Sequence, residues 1–556
     1  MRNIIRRAMA AALCLAALSL PRVPARAAAD TSLDAVIRDT AEYVYKTVKL
    51  PQVDSVGGEW AVMELARSGY DVPDSYYQNY YATVEEYVEA CGGVLHTKKY
   101  TEYSRVILAL TAIGRDPSNV AGYNLLTPLG DYDRTIWQGL NGPIWALIAL
   151  DTGNYEIPHN PDAATQATRD MYIDRILECQ LPDGGFSLFG GTSAAPAGAA
   201  SDPDITGMAL QALAKYQHRA DVKRVTEEAL AAMSERQDDK GGYSSWSTSN
   251  SESVVQIIVA LCELGIPLDD PRFVKNSYTL LDNLMTFYLP GGGFLHTVSG
   301  SGNAQMSTEQ ALYALIAVQR ARDGMPSLYR MTDALNIPGG AAAAGPGRGT
   351  GIPGKHADVR QLPITAPGRT FDDVYEHKSV TAINALAARG IINGKSGDGL
   401  RFEPDATMTR AELAKIVTYG LGLPEKTTSV FTDVPASQWY AKSVASAYYY
   451  EIVNGMSETT FDPDGTITRQ QAAVMMARAA KLCGIDTDMA PGETRGVLSQ
   501  FDDYVTSADW ARDALAFCYR DGILPPDDMN IRPLDNILRS EVAQMLFELL
   551  GAANLL

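Results

Sequence analysis

The sequence has 556 residues, enough for several domains, and 46% of them are hydrophobic, which is ordinary for globular protein. Its formal net charge is −19, and the isoelectric point is 4.8. A chain this acidic lacks the positive field on which nucleic-acid binding depends, so nucleic acid is disfavoured as a partner. Any anionic ligand must instead be held by individual arginines.

Residues 1–29 have the pattern of a secretory signal peptide. Basic residues (Arg2, Arg6, Arg7) precede an apolar run over 8–20, and small residues follow at 27–29. These three features together predict export, with cleavage after residue 27 or 29. No later segment is long and apolar enough to span a bilayer, so we expect no membrane span after cleavage.

Six cysteines are spread widely along the chain. Cys14 lies in the predicted signal peptide, and the other five share no C-x-x-C spacing: Cys91, Cys179, Cys262, Cys483 and Cys518. An odd number cannot pair completely within one chain, and apolar neighbours indicate buried thiols. The sequence therefore predicts no disulfide framework, metal site or cofactor.

The region from residue 30 to 335 is predicted to be helical throughout. Leu210, Leu213 and Ala214 show the three-and-four spacing of a buried helix face, and no alternating strand pattern appears. Twelve helices, or six hairpins, are predicted over 32–48, 57–68, 75–90, 101–114, 118–127, 135–150, 163–180, 203–217, 221–236, 250–264, 271–289 and 304–322.

A glycine pair followed by an apolar or aromatic residue recurs between these helices. It occurs as Gly92-Gly93-Val94, Gly184-Gly185-Phe186, Gly241-Gly242-Tyr243 and Gly292-Gly293-Phe294. Such repetition predicts one helical unit stacked on its copies, with the aromatic residue packed under the next helix. The stretch Gln180-Leu181-Pro182-Asp183-Gly184-Gly185-Phe186 resembles the Q-x-x-D-G-G-F repeat of the terpenoid-cyclase and prenyltransferase superfamily. The resemblance implies an (α/α)6 toroid around a central cavity.

Residues 336–370 are dense in glycine, proline and alanine. Such a composition buries too little apolar surface to offset the entropy of ordering. We therefore expect a flexible linker between the helical region and the C-terminal part.

The C-terminal part contains three copies of one unit. The copies begin at Phe371, Phe431 and Phe501, and the distances from these residues to a later motif arginine are 39, 38 and 38 residues. Between them lie a helix, a Gly-Ile-Ile-Asn-Gly-type turn and a Phe-x-Pro element. The units resemble S-layer homology (SLH) repeats over 371–425, 431–484 and 501–553. The resemblance implies three helical repeats in a pseudo-threefold spindle, so the whole chain is expected to be all-α.

The closing motif of each unit combines a helix cap with an arginine. Two copies are predicted capping boxes, Thr409 with Glu412 and Thr468 with Gln471. The arginines (Arg410, Arg469, Arg539) would begin helices, where a guanidinium can hold a carboxylate through two hydrogen bonds. The resemblance implies that this carboxylate belongs to a pyruvylated secondary cell-wall polysaccharide, on whose sugars Trp439 and Trp510 could stack. The third copy lacks the capping threonine and the second glycine of its turn.

Three functions remain open for the helical region. Asp202-Pro203-Asp204-Ile205-Thr206 resembles the D-x-D-D-T motif of protonating terpene cyclases, which would make Asp204 the acid, although Ile205 replaces one motif carboxylate. We prefer to interpret these residues as a helix start, with Asp202 as N-cap and Pro203 at the first position. A carbohydrate-active enzyme would instead use carboxylates at predicted inner-helix starts, namely Glu102, Glu252 or Glu309.

The second function is ligand binding, and the third is a scaffold displayed to a partner protein. Polar and aromatic residues at predicted inner-helix starts are suited to lining a pocket: Tyr103, Trp137, Asn141, Gln256, Gln305 and Tyr313. Fold alone does not supply function, and we rank binding or display above catalysis. The sequence thus predicts an exported bacterial surface protein, anchored non-covalently to the wall, whose toroid takes an unknown ligand.

Overall fold

The computed structural model describes residues 32–190, 199–300, 304–337, 349–490, 492–524 and 529–556. The predicted signal peptide lies outside these ranges. Within the ranges, no helix combines the length and hydrophobicity needed to cross a membrane.

The described part of residues 32–337 contains twelve α-helices and one short hairpin. The helices are α1 Leu33–Thr47, α2 Trp60–Ser68, α3 Asp74–Ala90, α4 Thr101–Ala112, α5 Tyr132–Thr135, α6 Asn141–Thr152, α7 Arg169–Glu178, α8 Pro203–Leu213, α9 Ala220–Arg236, α10 Ser251–Leu264, α11 Leu280–Leu284 and α12 Ala304–Arg322. The hairpin pairs β1 Ser244–Ser245 with β2 Thr248–Ser249 in antiparallel register.

The even-numbered helices form a closed inner ring. Each of α2, α4, α6, α8 and α10 packs on the next even-numbered helix, and α12 closes the ring on α2. The odd-numbered helices lie outside the ring. This arrangement is an (α/α)6 toroid, so the predicted fold is confirmed.

The helix predicted over 118–127 is wrong. Val120 and Tyr123 instead form an isolated β-bridge, and Ala121 has a φ of 49°, which no α-helix contains. The fifth helix is the short α5, which begins after Asp131, whose side chain accepts a hydrogen bond from the Arg134 amide. The turn at Val120–Tyr123 prevents a helix there, and the Asp131 cap starts the helix later in the chain than predicted.

The Gln-x-x-Asp-Gly-Gly turns hold neighbouring hairpins together. The Gln180 amide donates to the carbonyl oxygens of Gly184 at 2.8 Å and of Val225 at 3.3 Å. Gly184 has a φ of +91°, and a side chain there would approach the Glu228 carbonyl. Phe186, which follows this turn, is fully buried as predicted.

The described residues of the C-terminal part contain seven α-helices, two in each repeat and one between the second and third repeats. They are α13 Val380–Ala388, α14 Arg410–Gly420, α15 Ala441–Tyr449, α16 Arg469–Leu482, α17 Glu493–Leu498, α18 Asp509–Arg520 and α19 Arg539–Ala552. Their apolar faces share one core that is distinct from the core of the toroid.

Three backbone hydrogen bonds close the repeats into a ring. The Ile467 amide donates to the Met408 carbonyl at 3.2 Å, the Ile537 amide to the Ile467 carbonyl at 2.9 Å, and the Met408 amide to the Ile537 carbonyl at 3.3 Å. Each repeat therefore donates to one neighbour and accepts from the other, which is the predicted pseudo-threefold arrangement.

The linker region is packed over residues 349–370, which corrects the expectation of a flexible linker there. The His356 amide donates to the Leu482 carbonyl and the Arg360 amide to the Leu421 carbonyl, both at 2.9 Å. Val359 is buried in the SLH core, and Ile364 is buried against the toroid. These two apolar side chains supply buried surface that the glycine- and proline-rich residues around them do not. Residues 338–348 lie outside the described ranges.

The capping boxes at the starts of α14 and α16 generate a stability prediction. Replacing Thr409 with alanine removes the oxygen that accepts the Glu412 amide hydrogen bond at 3.2 Å, leaving that donor without its cap. We expect T409A to lower the free energy of unfolding by about 1 kcal/mol, measured by thermal denaturation. T427A, at an exposed threonine, is the control, and equal stability of the two variants would contradict the prediction.

Candidate functional sites: the inter-repeat grooves and the toroid cavity

The three motif arginines reach across from one repeat to the next. Arg410 donates through Nε to the Phe461 carbonyl at 2.8 Å and through Nη2 to the Asn454 carbonyl at 3.0 Å. Arg539 does the same toward the first repeat, donating to the carbonyls of Phe402 at 2.9 Å and Asn393 at 3.2 Å.

The third arginine, Arg469, donates through Nε to the Ile531 carbonyl at 2.8 Å. All three arginines are nine-tenths buried. Burial lowers the pKa of Arg410 and Arg539 from its ordinary value, although an arginine stays charged at any physiological pH. Each arginine thus joins two repeats, a role that the sequence did not reveal because the partner carbonyls lie far along the chain.

The first groove lies beside Arg410 and is built by all three repeats. Its cavity of about 180 Å³ is lined by Arg410 of the first repeat, Gly455 and Arg478 of the second and Trp510 of the third. Nη1 of Arg410 has no hydrogen-bond partner among the described residues. This groove therefore combines two guanidinium groups with the exposed ring of Trp510.

The second groove, beside Arg469, is lined by both acidic and basic side chains. Arg469 forms a buried ion pair with Glu541, which takes the place of the neutral Gln471 of the first groove. Glu548 stands where the first groove has Arg478, and Lys378 and Ser379 stand near the position of its tryptophan. The wall opposite is formed by helix α1 of the toroid.

The third groove, beside Arg539, is again basic and aromatic. The Lys415 ammonium lies 4.9 Å from the centre of the Trp439 ring. Lys395 lies 3.8 Å from Glu412 and offsets the charge of that carboxylate. Nη1 of Arg539 has no hydrogen-bond partner among the described residues.

The degenerate turn of the third repeat contributes to the groove of a different repeat's arginine. The turn at Gly522–Leu524 lines the groove of Arg469, not that of Arg539, because each arginine contacts the turn of the following repeat. Pro525 lies outside the described residues. The turn that lacks its second glycine therefore belongs to the second groove, beside Arg469, although the motif arginine of the same repeat is Arg539.

A second candidate site is a cavity of about 380 Å³ at the N-terminal ends of the inner helices. Asp204 of α8 and Glu252 of α10 both line it, together with His296 from the loop before α12. His296 Nδ1 lies 2.7 Å from Glu252 Oε2, and the Ser307 hydroxyl donates to Glu252 Oε1. Other lining residues include Trp60, Trp145, Trp246, Asn250, Gln256, Gln310 and Tyr313.

Asp202 caps helix α8, and Asp204 lines the cavity. Asp202 Oδ1 accepts hydrogen bonds from the amides of Asp204 at 3.0 Å and Ile205 at 3.2 Å, so Asp202 is the N-cap and Pro203 opens the helix. Asp204 is left facing the cavity. Burial, reinforced by the charge of Asp202, raises the pKa of Asp204 to about 7.

Other sequence candidates lie elsewhere. Glu309 accepts from the Gly57 amide at 2.9 Å and from Gln305 at 2.8 Å, outside the cavity, and burial raises its pKa to about 8. Glu102 pairs with Arg105. Of the predicted pocket residues, only Gln256 and Tyr313 line this cavity. Within the described ranges, no group of three His, Cys, Asp or Glu side chains is placed to hold a metal ion.

The sequence analysis missed the three tryptophans of the cavity. Trp60 and Trp145 lie on inner helices, where an aromatic residue is expected to pack in the hydrophobic core. Trp246 occupies the turn of the hairpin and follows the Gly241-Gly242-Tyr243 motif by three residues. The only sequence signal was an aromatic residue in a short polar segment between two helices.

Comparison with known proteins identifies the C-terminal part. The family model for the S-layer homology domain matches residues 370–414, 430–473 and 500–543. The chain carries three S-layer homology domains. Each match contains one of the buried arginines, and the domains indicate a protein of the bacterial cell surface.

Three similar curated proteins each match about a third of the chain or less. The chain is 32% identical over 149 residues to the "Surface-layer 125 kDa protein" of Lysinibacillus sphaericus, covering 27% of this chain and 12% of that protein. It is 28% identical over 187 residues to "S-layer protein sap" of Bacillus anthracis (33% and 22%). It is 29% identical over 184 residues to "Amylopullulanase" of Thermoanaerobacterium thermosulfurigenes (33% and 10%). The chain thus spans less than a quarter of the length of each of these relatives.

Two solved structures show a weak overall likeness to the chain. Type II terpene cyclase MstE from Scytonema shares 13% identity at a TM-score of 0.36, over 52% of this chain and 99% of that one. The unsaturated glucuronyl hydrolase of Bacillus sp. GL1 shares 13% at a TM-score of 0.32, over 53% and 97%. Scores this low add nothing to the helical ring described above.

Asp204 generates a prediction on pH. Its raised pKa means that the folded state holds a proton that the unfolded state releases above about pH 4, so its contribution to stability falls as pH rises toward 7. D204N cannot ionise. Between pH 5 and pH 8 we expect D204N to gain on the order of a few kcal/mol of unfolding free energy relative to wild type, measured by denaturant titration.

The control is D133N, at an exposed aspartate that also lies in the first turn of a helix. It should follow the wild-type pH dependence. A D204N protein whose stability changes with pH as wild type does would show that Asp204 is ionised in the folded state.

Proposed function

We propose that this is an exported protein held non-covalently on the bacterial cell wall by its SLH domains, which displays the toroid as a ligand-binding module. The observation that carries the proposal is the first groove. There Arg410, Arg478 and Trp510 come from three different repeats and line one cavity. Only a folded three-repeat unit creates such a site.

The chemistry of the groove favours an acidic sugar. Two guanidinium groups and an exposed indole ring together suit a ligand that carries a carboxylate on a ring with an apolar face. Arg410 spends Nε and Nη2 on carbonyls of the next repeat, which fixes the orientation of Nη1 toward a ligand. A pyruvylated secondary cell-wall polysaccharide, as the SLH resemblance implies, has the required carboxylate.

The three grooves are not equivalent in this proposal. The first and third grooves are basic and each presents an exposed tryptophan, Trp510 or Trp439. In the second groove the charge of Arg469 is neutralised by Glu541, and Glu548 adds a further carboxylate. An acidic glycan would find the Arg469 guanidinium already paired and the groove walled by helix α1 of the toroid, so the first and third grooves bind the wall and the second does not.

Groove variants test this assignment by co-sedimentation with purified wall sacculi. We expect R478A/W510A and K415A/W439A each to reduce wall affinity at least about tenfold, because two grooves on one molecule bind a polymer with avidity. K378A/E548A changes the corresponding positions of the second groove and should pellet like wild type. All three double variants keep the buried arginines, because removing those would disturb the packing between repeats.

The nature of the ligand is tested on the wall side. Sacculi from which the pyruvyl groups have been removed should bind the wild-type protein much more weakly than untreated sacculi, because the carboxylate is lost. Equal pelleting with both preparations would contradict carboxylate recognition. Equal loss in all three double variants would contradict the division between grooves.

A second candidate function for the toroid is that of a surface-anchored enzyme. The observation in its favour is that Asp204 and Glu252 line the same cavity, with His296 bonded to Glu252. Two carboxyl groups whose surroundings differ are the usual basis for dividing acid and base roles. Glu309, the remaining candidate, lies outside this cavity.

A further inference from the structure

The cavity of the toroid carries an inference about its ligand that is independent of wall anchoring and deepens the ligand-binding role proposed above. Its lining combines aromatic rings with carboxyl and amide side chains. Trp60 and Trp145 lie with their ring centres 5.1 Å apart, and Trp60 and Tyr313 lie 5.7 Å apart. The rings are tilted against one another by 59° and 45° and form an aromatic cluster in the cavity wall.

The polar side of the cavity is an ordered network. The Gln256 amide donates to Gln310 at 3.1 Å and to the Tyr313 hydroxyl at 2.7 Å. Glu252 is fixed by His296 and Ser307. The Oδ1 atom of Asp204 is buried without a well-aligned hydrogen bond among the described residues, and the Ser253 hydroxyl is the protein group that interacts with this carboxyl. A buried polar atom in a native structure calls for a partner, which a ligand can supply.

The hairpin at the mouth adds an observation of a different kind. Trp246 and Ser247 have φ values of 50° and 66°, in the left-handed region that favours glycine. The indole of Trp246 is 96% exposed yet belongs to the cavity lining. A strained turn that holds a large aromatic ring in solvent contributes nothing to the core, and strain of this kind is concentrated at binding sites.

Charge and polarity narrow the class of ligand. No lysine or arginine lines the cavity among the described residues, which disfavours phosphates, sulfates and acidic sugars. A purely apolar chain such as an isoprenoid would cover the carboxyl and amide groups of the cavity without offering Asp204 a hydrogen-bond donor, which would cost free energy. A neutral sugar has apolar ring faces for the tryptophans and hydroxyl groups for the carboxyl and amide side chains.

We propose that the toroid cavity binds a neutral glycan, stacked on Trp60, Trp145 and Trp246 and hydrogen-bonded by Asp204, Glu252 and Gln310. The ligand thus differs in charge from the glycan proposed for the SLH grooves. One protein would hold an acidic polymer with one end and a neutral one with the other.

The test is isothermal titration of the full chain with four neutral tetrasaccharides: cellotetraose, maltotetraose, chitotetraose and mannotetraose. We expect saturable binding of at least one of them with a Kd of about 1 mM or tighter. W246A should weaken that binding about tenfold or more, without a change in melting temperature because the side chain is exposed. Q310A tests the polar side of the cavity in the same way.

Two tryptophan controls locate the site. W137A changes a half-exposed tryptophan of the toroid that lies outside the cavity, and W510A changes the first SLH groove; both should bind the tetrasaccharide like wild type. Failure of all four tetrasaccharides to bind would overturn the proposal, as would binding that W246A and Q310A leave intact. Saturable binding of farnesol or tetragalacturonate that W246A abolishes would overturn it too. Wall sedimentation of the same W246A protein stays normal in every case if the anchoring proposal holds.

Discussion

The C-terminal part depends on one interaction, the hydrogen bonds by which an arginine at the start of a helix holds the backbone carbonyls of the following repeat. Arg410 and Arg539 each donate to two such carbonyls, and Arg469 donates to one. A guanidinium suits this task because its donors are fixed in one plane and it stays charged when buried. Three repeats linked in this way leave no free end, so the ring is closed.

The same interaction prepares the arginines for a ligand. A flexible surface arginine loses side-chain entropy when it binds a carboxylate, but Arg410 is already held by the second repeat before any ligand arrives. Sequence repeats often suggest that equivalent residues act equivalently. Here the ion pairs differ between grooves. Glu541 pairs with Arg469 in the second groove, whereas Glu412, at the corresponding position of the third groove, pairs with Lys395.

The docking of the toroid follows the same asymmetry. Helix α1 forms one wall of the cavity beside Arg469. Asn384 of the first repeat donates to Asp54 at 2.9 Å, and Thr381 donates to the Val56 carbonyl at 3.1 Å. The toroid therefore covers the groove in which Arg469 is paired with Glu541, and no described residue of the toroid lines the first groove. Within the toroid, the hairpin and the inner-helix starts bring carboxyl groups and tryptophans together at the mouth.

Much of this organisation could be predicted from the sequence. The repeated motifs predicted both folds, because the hydrophobic period and the turn glycines are local properties that recur in each copy. The capping boxes of α14 and α16 are equally local. The predictions from local pattern were wrong in two places. At 118–127 the positive φ of Ala121 rules out the predicted helix, and at 349–370 Val359 and Ile364 pack against apolar side chains far away in the sequence.

What the sequence determined by itself was therefore the identity and number of the repeating units, the arginine at the head of each closing helix, and Asp204 and Glu252 as candidate acids. The tertiary structure alone decided which groups face each other. The carbonyls that hold Arg539 lie more than a hundred residues earlier in the chain, and Glu252, His296 and Trp246 meet only because the inner helices close into a ring. Charge pairing and cavity lining depend on distances of a few ångströms between segments remote in sequence, and no local pattern contains those distances.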